Sequence, residues 1–304
     1  MAIEFNDQVA IVTGAGNGLG RSHALSLAAR GAKVVVNDLG ATVDGSGRGS
    51  SASQEVVDLI KKNGGEAFAH GANVADFSQV DDMVQQTLRQ WGRVDVLINN
   101  AGILRDKSFA KIELEDFKQV LDVHLMGSVH CCKAVWDTMR ENSYGRILMT
   151  TSSSGLYGNF GQSNYGAAKM AVVGLMNTLS LEGAKYNIKV NSLAPCAATR
   201  MTEELFPREA LDALTADAVT AGALALVHAD SPSRYILCAG AGGYSSSRLF
   251  ETKGIYLTAD EQSPETVMQN MAGINDLEGQ VDYASGYQQS EKFLQKALES
   301  IGRS

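Results

Sequence analysis

Tyr165 and Lys169 stand four residues apart in SNYGAAKM, and Ser152 precedes them at the end of a strand-like run over 146–151. On a helix, that spacing puts the phenol and the ammonium on one face, about one turn apart. A phenol ordinarily titrates near about 10, and an ammonium held close favours the phenolate and draws that value down. A tyrosine so tuned exchanges a proton with an alcohol or carbonyl oxygen near neutral pH. The Ser152 hydroxyl could hydrogen-bond the same oxygen, where charge changes as the reaction proceeds. The pair also fits an aromatic ring packed beneath a snorkelling lysine. The Gly-, Ser- and Asn-rich residues 153–164 favour a site, because loops braced by rigid elements are where sites sit.

The elements that would hold these residues alternate between buried strands and helices. Residues 8–13, QVAIVT, are a short apolar, β-branched run of the kind that forms a buried parallel strand. The run opens into TGAGNGLG, with Gly14, Gly16, Gly18 and Gly20, followed by a helix pattern over 21–30. Strand, tight glycine turn and helix together bring backbone N–H groups and a helix N-terminus to a pyrophosphate. A second strand, 33–37, runs into Asp38, placed where a carboxylate bonds the adenosine ribose and repels a 2′-phosphate. Read so, Asp38 selects NAD over NADP; the alternative is a surface aspartate after a strand. Residues 40–53 form a Gly/Ser-rich connection, long for a strand-to-helix link.

Further helices are expected over 54–62, 78–91, 114–141 (bent) and 216–229, with strands over 66–70, 94–102, 188–193 and 234–238. The strand at 94–102 breaks into Asn99, Asn100, Ala101 and Gly102, small enough for a flat cofactor to approach the backbone. Residues 198–213 read as a lid over a pocket. This rhythm predicts an α/β fold, a Rossmann-type doubly wound parallel sheet of about seven strands, with ligands at one edge. The expected division is a dinucleotide-binding core, 1–243, and a mostly helical C-terminal extension, 244–304. In the extension, Ser263 and Pro264 read as an N-cap and first helical residue. Phe293, Leu294, Ala297, Leu298 and Ile301 make an apolar stripe on a last helix.

The 304 residues are 44% hydrophobic and 20% charged, enough for a sizeable core. A net charge of −8 argues against a nucleic-acid partner, and no run approaches the length of a membrane span. The N-terminus lacks the basic start and apolar core of a signal peptide, and the ending Gly302-Arg303-Ser304 is not a peroxisomal address, so a cytoplasmic location is expected. Cys131, Cys132, Cys196 and Cys238 show neither CxxC spacing nor a His/Cys cluster, so no metal is expected.

In order and spacing, TGAGNGLG, NNAG, Ser152, Tyr165 and Lys169 resemble the short-chain dehydrogenase/reductase family. The resemblance implies that Tyr165 is the acid/base and that Ser152 orients the substrate oxygen. Lys169 would lower the Tyr165 pKa and hold the nicotinamide ribose. It further implies NAD contacts at Gly14, Gly16, Asn17, Gly18, Leu19, Gly20, Asp38, Asn73, Val74, Asn99, Ala101, Gly102, Tyr165, Lys169 and Pro195. Two positions depart from the family pattern. His124 stands where an asparagine is usual, and Cys196 follows Pro195 where a glycine is usual. His124 could join the catalytic group by anchoring a relay of waters, since imidazole both donates and accepts; it fits equally a core histidine satisfied by a backbone carbonyl.

VVVNDLG, NNAGILRD, His124, SGLYGNFGQSNYGAAK and RMT at 200–202 are similar to the (3R)-hydroxyacyl-CoA dehydrogenase units of peroxisomal multifunctional β-oxidation enzymes. That branch implies interconversion of a (3R)-3-hydroxyacyl-CoA and its 3-keto form. A stand-alone homodimer or higher homo-oligomer is expected, with Arg105, Lys107 and Arg200 available to CoA phosphates. A 17β-hydroxysteroid or other hydrophobic secondary alcohol would need the same chemistry in another pocket. A non-catalytic NAD-binding sensor would have no use for a tuned phenol.

Overall fold

The computed structural model describes residues 2–47, 51–197 and 212–301. The lid expected over 198–213, Arg200 included, lies almost wholly outside the described residues. Eight strands form one sheet: β1 (Val9–Thr13), β2 (Lys33–Asn37), β3 (Ala67–His70), β4 (Val96–Asn99), β5 (Gly145–Thr150), β6 (Ile188–Cys196), β7 (Ile236–Gly240) and β8 (Gly243–Ser247). Their order is β3-β2-β1-β4-β5-β6-β7-β8, and the first seven run parallel. A parallel sheet is covered on both faces, so its strands read as continuous apolar runs. Accordingly β1 and β4 are buried at every residue.

Helices α1 (Gly18–Ala28), α2 (Ala52–Lys62) and α8 (Ala216–Val227) cover one face, where Leu27, Ile60 and Val219 meet Val12, Val36 and Leu148. On the other face lie α3 (Phe77–Trp91), α5 (Gly127–Glu141) and α7 (Ser163–Gly183). There Met83, Val135 and Val173 meet Ile11, Val35 and Ile147. The strand order reverses between β1 and β4, the place where such sheets bind ligands. The glycine turn follows β1 and Asn100–Gly102 follow β4.

The sheet is one strand larger than the sequence predicts. β8 returns from β7 through Ala241 (φ 49°) and Gly242 (φ 77°). Two positive φ values make the type I′ turn whose twist suits a hairpin. The strand itself, GYSSS, is largely exposed, so no apolar run marks it. The bend expected over 114–141 is a widened π-helical turn, Asp122–Met126, between α4 (Leu114–Leu121) and α5. It carries His124; such turns recur at functional sites.

The chain divides after Ser246 into two compact units. In the second, taken by itself, Ser263 caps α9 (Pro264–Gln269) by accepting from the Thr266 N–H at 3.1 Å. The helix expected there breaks at Asn270 and resumes as α10 (Met271–Ile274). Glu251 pairs with Val281 in an antiparallel bridge and accepts from Lys292 Nζ of α11 (Gly286–Ile301) at 2.6 Å. The α11 residues Phe293, Leu294 and Leu298 remain exposed.

Candidate active site

β5 and the N-terminus of α7 bring the three chemical residues together. Residues 153–164, read from sequence as a loop, begin with a short helix, α6 (Ser153–Tyr157). Ser152 caps it, its Oγ accepting from the Ser154 N–H at 3.2 Å. That bond occupies an acceptor lone pair and leaves the hydroxyl proton to donate. The Ser152 hydroxyl acts on the Tyr165 phenol, favouring its ionised form. One turn along α7, Lys169 Nζ lies 5.5 Å from the Tyr165 ring centroid and donates to the Thr150 carbonyl at 2.7 Å. Thr151 Oγ1 fixes the backbone beneath by donating to the Lys169 carbonyl at 2.6 Å.

The electrostatics differ from the sequence expectation. Burial pushes the Tyr165 phenol up to about 12, against the opposing hydrogen bond from Ser152. Burial also brings the Lys169 ammonium down to about 7. Desolvation penalises whichever form is charged, and here it outweighs the attraction that four-residue spacing suggests. Among the described residues, the Thr150 carbonyl is the one acceptor for the three donors of Lys169 Nζ.

His124 is buried beside this group. Its Nε2 lies 2.8 Å from the Ile103 carbonyl and 3.1 Å from the Ile103 N–H, while Nδ1 is buried without a partner among the described residues. Burial, then the Lys169 charge, hold the imidazole well below its usual range, with the Ile103 bond opposing them. Gly102 makes room for it, since a Cβ there would run into His124 Cε1.

The turn after β1 is built for close approach. Gly14 has φ +62°, and a Cβ on it would stand 2.9 Å from Ala101 Cα. Asn100 Nδ2 holds the turn by donating to the Thr13 and Gly14 carbonyls at 3.0 and 3.1 Å. The Asn100 and Ala101 N–H groups both donate to Thr13 Oγ1 at 3.0 Å. Gly16 donates its N–H to Asp38 Oδ2 at 2.8 Å, and Gly40 donates to Asp38 Oδ1 at 2.8 Å. Asn17 precedes α1 without a side-chain cap bond, and the first turn, beginning Gly18-Leu19-Gly20, holds no acidic residue.

Other expected contacts are more scattered. Asn73 and Val74 lie after β3, where Asn73 Oδ1 accepts from the Ala75 N–H at 3.1 Å and the Val74 carbonyl from His130 Nδ1 at 2.9 Å. Pro195 lies on β6 opposite Ala239. The Asn99 side chain turns into the core, Nδ2 lying 3.6 Å from Cys132 Sγ and 3.5 Å from Met149 Sδ. Arg105 and Lys107 pair with Asp116, at 2.6 and 3.1 Å. Thr13, Thr150 and Thr151 are not singled out by the sequence reading; a threonine ending or directly following a buried strand is the signal that marks them.

Uncapped N–H groups at the α1 terminus, a floor that excludes side chains, the Asp38 carboxylate and the spare donors of Lys169 fit a nicotinamide dinucleotide. Among the described residues, no group of three or more His, Cys, Asp or Glu is placed to hold a metal, and no helix is long and apolar enough to cross a membrane.

The short chain dehydrogenase family model matches residues 8–210. A putative short-chain type dehydrogenase/reductase of Mycobacterium tuberculosis is 47% identical over 90% of this chain and 96% of its own length. The peroxisomal hydratase-dehydrogenase-epimerase of Saccharomyces cerevisiae is 46% identical over 90% of this chain, which spans only 31% of that protein. The full-length peroxisomal multifunctional enzyme type 2 from Drosophila melanogaster superposes with a TM-score of 0.82 at 35% identity, covering 98% of this chain and 51% of that one.

Proposed function

This chain belongs to the short chain dehydrogenase family, and from that premise we propose that it interconverts a (3R)-3-hydroxyacyl-CoA and its 3-ketoacyl-CoA with NAD. It is an oxidoreductase acting on CH–OH groups, with a nicotinamide nucleotide as cofactor. The observation that carries the finer reading is the Tyr165 ring with Lys169 Nζ 5.5 Å from its centroid and the Ser152 hydroxyl favouring the phenolate. The preference for an acyl thioester rests on the similarity to multifunctional enzymes. The choice of NAD rests on Asp38, whose carboxylate stands against Gly16 at the end of β2.

When bound, the nicotinamide supplies the hydride acceptor for alcohol oxidation. The chain's own groups handle the proton and the substrate oxygen. Ser152 orients that oxygen by donating its hydroxyl proton, and Tyr165 exchanges the proton. The phenol as found holds its proton, the state that protonates the oxygen of a ketone under reduction. Taking a proton from an alcohol requires a charged Lys169 close by, which favours the phenolate. We place the protein in the cytoplasm as a homodimer or higher homo-oligomer, neither of which bears on the chemistry.

The test is NAD reduction over a panel of 3-hydroxyacyl-CoAs of both configurations, with 17β-hydroxysteroids alongside. Turnover confined to the 3R thioesters supports the reading. Turnover of steroids alone would move the substrate class and leave the mechanism, and NAD binding without turnover of any alcohol would make the protein a sensor.

A further inference from the structure

Residues 103–107, ILRDK, follow β4 and pass between two parts of the site, the loop after β2 and the start of α7. On one side they meet the loop after β2. The Leu104 N–H donates to the Val43 carbonyl at 3.0 Å, and Arg105 Nε donates to the Asp44 carbonyl at 3.1 Å. That loop is tied in turn to Asp38 through the Gly40 N–H, and Thr42 and Ser46 brace it internally.

On the other side the same residues hold the start of α7. The Arg105 carbonyl accepts from Asn164 Nδ2 at 3.0 Å, and Asn164 is buried immediately before Tyr165. The Lys107 N–H donates to the Gly161 carbonyl at 3.0 Å, and Asp106 Oδ2 accepts from Gln162 Nε2 at 2.6 Å. Arg105 hydrogen-bonds to both sides. Its guanidinium grips Asp44 and the Asp116 carboxylate of α4 at once, while its carbonyl holds Asn164. A planar guanidinium is suited to two fixed acceptors where an ammonium is not.

We infer that Arg105 is a positioning residue: it fastens 103–107 as a strap between the loop anchored on Asp38 and the N-terminus of α7, so that filling the adenosine end of the site sets Tyr165. The inference rests on the proposed nucleotide site. It concerns how that site is linked to the phenol, and it needs no knowledge of the substrate.

ADP-ribose, which occupies the adenosine and pyrophosphate positions without the nicotinamide ring, is the probe, and hydrogen–deuterium exchange of the full chain is the readout. In the unmodified protein, ADP-ribose slows exchange in peptides over 14–20 and 38–46. It also slows exchange over 161–166, by about 5-fold or more, the lower end of the range for coupled sites. In Arg105→Met the slowing at 14–20 remains and that at 161–166 disappears. Arg105→Lys, which keeps a charge for Asp116 but not the planar fork, behaves like Arg105→Met. Should Arg105→Met not fold, Asp116→Asn loosens the same clamp and carries the same expectation.

A purely stabilising role would change basal exchange without changing the response to ADP-ribose. Slowing at 161–166 that survives in all three variants, or that never occurs in the unmodified protein although 14–20 responds, overturns the strap alone. No response anywhere overturns the nucleotide site and the strap with it.

Discussion

The His124 imidazole meets the Tyr165 ring edge-on, with centroids 5.1 Å apart and planes at 89°. With Nε2 committed to Ile103, only Nδ1 is left to exchange a proton with anything else. His124→Phe keeps a ring in place and removes both nitrogens. Turnover should fall by about 10²-fold, the low end for general acid–base participation, with a shifted pH profile. Unchanged kcat beside a lower melting temperature would mean that the imidazole only packs.

Tyr165→Phe removes one oxygen from a site whose backbone is fixed by Thr150, Thr151 and Asn164. Nucleotide binding and the fold should persist while kcat drops by about 10²–10⁴-fold. Steady-state kinetics beside a thermal melt checks both halves, and a variant retaining normal kcat would remove Tyr165 from the mechanism.

Lys169 makes the folded protein less stable than it could be. Its ammonium titrates near about 7 in the fold and near about 10.4 in an unfolded chain. Between those values the unfolded state binds more protons, so stability rises with pH and the full penalty applies below pH 7. Lys169→Met should therefore be inactive yet more stable at pH 6.5 by a few kcal/mol, at about 1.4 kcal/mol per pKa unit. The gain should shrink as pH approaches 10. Urea midpoints at both pH values test it; a gain independent of pH would contradict a buried titrating amine.

His23 gives the opposite end of the pH scale. It is fully buried, with Nδ1 2.7 Å from Thr220 Oγ1, and burial lowers its pKa to about 4. Unfolded, it takes a proton near about 6.5, so its contribution is complete above that value and lost progressively down to about 4. His23→Gln should flatten the fall in stability between pH 6.5 and 4.5. Parallel acid curves for the two proteins would show that His23 is not responsible.

Asp38→Ala should narrow the preference for NAD over NADP by raising the NAD KM more than the NADP KM. It should also loosen the turn, because the carboxylate accepts from Gly16 and Gly40. Equal use of both cofactors by the unmodified protein would remove Asp38 from that role.

The parallel strands were legible because burial on both faces forces the central ones into apolar runs, as VAIVT of β1 shows. β8 was not, because its pairing depends on a two-residue turn and its side chains carry no pattern. The chemical residues were legible from type and spacing. The sign of the Tyr165 shift was not, since it depends on how tightly the ring is packed. Asn99 and Asn100 look interchangeable in sequence, yet successive strand residues face opposite sides. Asn99 therefore points at Cys132 and Met149, and Asn100 at the glycine turn. The acceptor for Lys169 is a main-chain carbonyl, which no residue type announces.

The contact of Gly14 with Ala101 also bears on when the site comes into being. Its two halves lie far apart in the chain and meet only once β4 has paired with β1. Contacts of such long sequence separation form late, after the entropy of closing the intervening loop has been met. A chain emerging from the ribosome can thus fold its first β–α–β segment with no floor beneath the glycine turn. Nucleotide present during synthesis should have nothing to hold until the residues beyond 100 have been released, and from then on its binding would draw the nascent sheet toward the native order of strands.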